Sequence, residues 1–150
     1  MVKPGENKVN FIRACILRNL LNLRFALILA KSGLDLMQIH YLEIVSEDVD
    51  AVCAAYAAAN GAQFGKPVAG LGNARTAMLA NGGLVGVRAP MHETEKPIVR
   101  LYFLVANIEE ALAGAVKAGG EIAHPPLEIP GHGKFAIYIQ GGNHHGLWQV

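Results

Sequence analysis

Residues 38–61 read QIHYLEIVSEDVDAVCAAYAAANG, and residues 97–120 read PIVRLYFLVANIEEALAGAVKAGG. The two stretches superpose at a spacing of 59 residues: Leu42 on Leu101, Ala54 on Ala113, Ala59 on Ala118 and Gly61 on Gly120. Farther on, Pro67 falls on Pro126. After a slip of two residues, Gly70-Leu71-Gly72 falls on Gly131-His132-Gly133. A fixed internal period marks a duplicated supersecondary unit, so the chain is built from two copies of one plan.

Each copy opens with a strand. In Ile39 to Val45, Leu42 and Ile44 point to one face, while Tyr41, Glu43 and Val45 point to the other. Ser46 or Asp48 caps a helix over about 49–59, whose stripe is Val49, Val52, Cys53 and Tyr56. Asn60-Gly61 stops it with a residue that tolerates positive φ. Three short strands are expected next, at 62–66, 74–80 and 84–88, with Asn81-Gly82-Gly83 as a hairpin turn. Residues 89–97, APMHETEKP, are polar and bounded by prolines, and read as a linker. The second copy then gives a strand at 98–105, a helix at 108–118, and strands near 121–123, 134–139 and 145–149.

The expected fold is therefore α+β. Two βαβββ repeats form a curved eight-stranded mixed sheet, with helices on one face and a cleft on the other. The domain spans 37–150, as repeat one (37–88), linker (89–97) and repeat two (98–150). Residues 1–36 form a basic, hydrophobic N-terminal extension. Its stretch FIRACILRNLLNLRFALILAK carries Arg13, Arg18 and Arg24, too many charges for a membrane span. An appendage outside the fold, an amphipathic helix and a targeting signal all stay open for it.

Composition narrows the function. Hydrophobic residues make up 52% and charged residues 17% of the 150, enough for a sizeable core. Residues 1–36 carry six Lys or Arg against two acids, and residues 37–150 carry seven against ten. The folded body is mildly acidic, which argues against a nucleic-acid partner. Two cysteines without a CxxC fit a reducing compartment, and a cytoplasmic protein is expected. No P-loop, no GxGxxG opening a helix and no nucleophile elbow is present. The six histidines show no HxH or HxxxH spacing on one element. His92, His124, His132 and the adjacent His144-His145 read as linker, loop and turn residues.

The duplicated βαβββ plan resembles the vicinal oxygen chelate superfamily, which includes glyoxalases, bleomycin-resistance and fosfomycin-resistance proteins and extradiol dioxygenases. The resemblance covers 38–150. It rests on Glu43 to Asp48 with the helix that follows, on EIPGHGKFAIYIQGG at 128–142 and on GNHHGLWQV at 142–150. It implies a small-molecule cleft and often a metal, held by His or Glu on the first and last strand of each unit. At those positions this chain carries Tyr41, Gly86, Arg100 and Gly146. Arginine is a permanent cation and glycine has no side-chain donor, so a divalent metal is possible but not supported.

The cleft residues are then Tyr41, Glu43, Arg100 and Tyr102, with Arg88 at the rim and His132 in a glycine-flanked loop that would serve as a lid. Arg100 suits a ligand carboxylate or phosphate, or else an internal pair with Glu43. Glu43 is the candidate acid or base. Trp148 and Tyr138 are candidates for stacking on a ligand or for the core. The expected function is a small-molecule-binding protein of the glyoxalase/bleomycin-resistance type without the usual metal, and a homodimer. The alternative is a lyase, isomerase or dioxygenase-like enzyme using Glu43, with or without a divalent metal.

Overall fold

The computed structural model describes residues 37–150; the expectations placed on residues 1–36 lie outside the described residues. Among the described residues the order is β1 (Ile39–Val45), α1 (Val49–Asn60), β2 (Pro67–Val68), a 3-10 turn (Ala69–Leu71), β3 (Ala74–Met78) and β4 (Leu84–Arg88). There follow β5 (Ile98–Leu104), α2 (Ile108–Lys117), β6 (Glu121–Ile129), β7 (Gly133–Gln140) and β8 (Asn143–Gln149). The eight strands form one mixed sheet in the order β2-β3-β4-β1-β5-β8-β7-β6. Each half is βαβββ, as the repeat predicts. No helix among the described residues is long and apolar enough to cross a membrane.

The two halves meet at β1 and β5, which pair antiparallel. Leu42 lies opposite Leu101, the same pair that the repeat superposes, so the pseudo-twofold passes through it. Tyr41 then faces Tyr102, and Glu43 faces Arg100. β4 runs parallel to β1, and β8 runs parallel to β5.

The helices cover one face. Asp48 caps α1, its side chain accepting from Ala51 N at 2.9 Å, and Gly61 ends the helix at φ 68°. Val49, Val52, Cys53 and Tyr56 pack on Ile44, Ala77, Val85 and Val87. Asn107 caps α2, and Ile108 and Leu112 pack on Ala136 and Leu147, with Tyr138 beside them. Full burial of such aliphatic side chains stabilises by roughly 1.5–3 kcal/mol each, which holds both helices to the sheet.

Three local expectations change. Residues 62–66 form no strand: Ala62 and Phe64 turn inward against the α1 cluster, and the ladder with β3 begins only at Pro67. β6 runs straight through Pro125-Pro126 to Ile129. It is an edge strand, where a proline removes no ladder bond, and register shifts at Ile122–His124 and His124–Leu127 absorb the rings. His124 and His144-His145 therefore lie in strands β6 and β8, not in a loop and a turn.

Candidate functional site

The face opposite the helices carries a cavity of about 580 Å³. Strand alternation builds its floor: Tyr41 and Glu43 from β1, Arg88 from β4, Arg100 and Tyr102 from β5. Leu71, Ile129, Phe135, Ile137 and Trp148 form its apolar walls. All five floor residues are buried, and Arg88 and Arg100 are 4% and 8% exposed.

Glu43 sits between two guanidinium groups. Its Oε1 accepts from Arg88 Nε at 2.7 Å. Its Oε2 accepts from Arg100 Nη1 and from the Tyr102 hydroxyl, the latter at 3.0 Å. The internal Glu43–Arg100 pair is thus present, and Arg88 joins it from below the rim where it was expected. Arg88 is held further by Glu95 of the linker, whose carboxylate accepts from Nη1 at 2.8 Å and from Nη2 at 2.6 Å. Met91 N also donates to Glu95, at 2.7 Å. Two carboxylates and two guanidiniums form a chain, Glu95–Arg88–Glu43–Arg100, in which each formal charge has an opposite neighbour. Burial of Glu43, Arg88 and Arg100 is tolerated only with such pairing and hydrogen bonding. The Arg88 hydrogen bonds lower the Glu95 carboxyl to about 2.

Arg100 is the least satisfied member. Among the described residues its hydrogen bonds run only through Nη1, to Glu43 and, at 3.3 Å, to the Tyr102 oxygen. Its Nε is buried without a partner. Burial, reinforced by the Glu43 charge, pushes the Tyr41 and Tyr102 phenols well above their ordinary range. Both are neutral donors at physiological pH.

The two tyrosines also explain two glycines. A Cβ on Gly86 would lie 1.9 Å from the Tyr41 hydroxyl oxygen, and one on Gly146 would lie 2.1 Å from Tyr102 Cδ1. The rings occupy the volume that side chains at those positions would need. The four positions where the resemblance implies metal ligands thus hold two strand glycines, a phenol and a paired guanidinium. The one carboxylate among the floor residues is already taken by two cations. These residues do not fit a divalent metal. Among the described residues no group of three or more His, Cys, Asp or Glu side chains is gathered to hold one.

Aromatic rings line the rest. Trp148 lies 5.3 Å from Tyr41 and 5.6 Å, edge-on, from Tyr102. Phe135 follows at 6.3 Å from Tyr102, and His124 stacks on Phe135 at 4.8 Å. Trp148 is therefore a wall residue, whereas Tyr138 lies on the helix side. His132 does not line the cavity. Its backbone oxygen accepts from Trp148 Nε1 at 2.8 Å, and its ring packs beside Gly70.

Glu95 and His124 are among the cavity residues that escape the sequence reading. Glu95 stood in a polar linker, where only its spacing of seven from Arg88 hinted at a return contact. His124 preceded two prolines and so looked like a loop residue.

No protein-family model matches the chain, and no curated sequence matches it. Solved structures do. A hypothetical protein from Bacillus halodurans C-125 superposes with a TM-score of 0.61 at 12% identity, over 76% of this chain and 94% of that one. Methylmalonyl-CoA epimerase of Streptomyces coelicolor, in complex with 2-nitronate-propionyl-CoA, gives 0.57 at 17% identity, over 77% and 99%. The Mycobacterium tuberculosis methylmalonyl-CoA epimerase gives 0.57 at 14% identity, over 74% and 86%. The epimerases are members of the vicinal oxygen chelate superfamily. At these identities the likeness is one of fold: this chain shares an eight-stranded α+β sheet architecture with these structures.

Proposed function

We propose that the protein is a small-molecule binder that holds an anionic, largely apolar ligand in the cavity through Arg100, without a metal. One observation carries this reading: Arg100 lies at the floor of an aromatic-walled cavity, and among the described residues its Nη2 makes no hydrogen bond. A guanidinium nitrogen free at a cavity floor is a ready donor, and a ligand carboxylate or phosphate would supply its acceptor. The cavity volume lies within the range of small-ligand sites, which combine apolar walls with few polar groups.

The test is a calorimetric screen of aromatic acids, each beside its neutral primary amide, with metal analysis of the dialysed protein. The reading expects acids to bind, amides to bind far more weakly, and divalent metal to stay well below one equivalent per chain. Preference for the amides, or a stoichiometric divalent ion, would overturn it.

A second reading is a proton-transfer enzyme using Glu43. It draws support from the epimerases among the solved neighbours, which are isomerases. Against it, three donors already occupy the Glu43 oxygens. Exchange of a carbon-bound proton of a bound acid with deuterated water, lost in Glu43→Gln, would favour the enzyme.

A further inference from the structure

His124 lines the same cavity from edge strand β6 and is half-buried. Its ring stacks on Phe135 with planes at 28°, which fixes the ring as part of the aromatic wall. Its Nδ1 lies 2.7 Å from the Pro125 carbonyl oxygen. A carbonyl only accepts, so Nδ1 must carry the proton. In the neutral ring the other nitrogen, Nε2, is then left with a lone pair and no proton. Among the described residues the hydrogen bonds of His124 run only through Nδ1. The cavity thus offers two free hydrogen-bonding groups of opposite kind among the described residues: Arg100 Nη2 as a donor and His124 Nε2 as an acceptor.

Between them stands a continuous set of rings. Phe135 links His124 to Tyr102, and Tyr102 shares the Glu43–Arg100 cluster. Aromatic faces favour planar, polarisable partners over saturated ones of equal size. Resting on the binding reading above, we infer that the ligand class is a planar aromatic acid that also carries a hydroxyl. Its acid group meets Arg100, its ring lies along the Phe135–Tyr102–Trp148 wall, and its hydroxyl donates to His124 Nε2. His124 is then the specificity-determining residue, choosing hydroxylated from plain aromatic acids.

The experiment titrates the full chain by calorimetry with naphthoate, a panel of hydroxynaphthoates covering each ring position, and the saturated decalin carboxylate. The same titrations use His124→Phe, which keeps the ring stack and removes the acceptor, with His124→Gln as a second variant and melting curves for all. At least one hydroxynaphthoate should bind about tenfold more tightly than naphthoate, the worth of one well-placed hydrogen bond. That gain, read as the ratio of hydroxynaphthoate to naphthoate affinity within each variant, should vanish in His124→Phe and return in part in His124→Gln. Decalin carboxylate should bind more weakly than naphthoate. If no hydroxyl position gives a gain, or the gain survives His124→Phe, this inference is overturned while the binding reading stands on the acids. If none of the acids binds at millimolar concentration, both readings fail.

Discussion

The hydroxyl of Tyr41 stands where a side chain on Gly86 would begin: a Cβ there would lie 1.9 Å from its oxygen and 2.6 Å from Cζ. Tyr41 is 4% exposed and packed against Trp148 and Tyr102, so it has little room to swing away. The strand glycine and the phenol are thus complementary shapes. The same relationship recurs in the second half between Gly146 and Tyr102.

Gly86→Ala should therefore destabilise the protein by about 1–3 kcal/mol, the usual cost of overpacking a filled core. Tyr41→Ala with Gly86→Ala should cost less than the two single changes added together, because the clash is gone in the pair. Thermal or urea melts of the three variants measure this. Strict additivity would mean that Tyr41 does not fill the Gly86 site.

Glu95→Gln should destabilise the fold at neutral pH and matter less in acid. The Glu95 carboxyl is held at about 2, below its unfolded value of 4.5, chiefly by the Arg88 hydrogen bonds. A depressed acid stabilises above its unfolded pKa and loses that contribution as pH falls toward the folded one. The difference between wild type and Glu95→Gln, at most about 3 kcal/mol, should be full at pH 7, shrink below about 4.5 and be nearly gone near 2. Melts across that range check it, and a pH-independent gap would contradict it.

Glu43→Gln should be among the most damaging single changes on the cavity side. It leaves Arg88 with Glu95 but removes the carboxylate between the two guanidiniums. Loss of one partner of a buried ion pair costs roughly 3–5 kcal/mol, since the remaining charge is stranded. A Glu43→Gln/Arg100→Met double variant should recover much of that loss. Equal stability of the single and double variants would place the cost elsewhere.

The period of 59 residues made the fold legible, because each half repeats one pattern of strand alternation and helix stripe. The alternation in β1 alone placed Leu42 and Ile44 under α1 and sent Tyr41 and Glu43 into the cavity. The repeat then brought Arg100 opposite Glu43, so their pairing could be expected from the two strands. Arg88 and Glu95 were less legible. Their contact depends on the path of the linker 89–97, and no periodicity records a loop's path. His124 was hidden for a different reason: Pro125-Pro126 is a strong loop signal, and only the edge position of β6 makes the prolines harmless to a strand. His132 shows the converse, since its glycine-flanked loop is as expected, yet its backbone, not its ring, supports the Trp148 wall.

The claim that Arg100 anchors the ligand's anionic group is tested most directly by titrating one aromatic acid and its amide into wild type and Arg100→Met. The variant keeps the bulk and should fold normally, because Glu43 retains Arg88 and the Tyr102 hydroxyl. The account predicts that Arg100→Met loses roughly 2–5 kcal/mol of acid binding while the weak amide binding hardly changes. Acid binding as tight in a folded Arg100→Met as in wild type would contradict it.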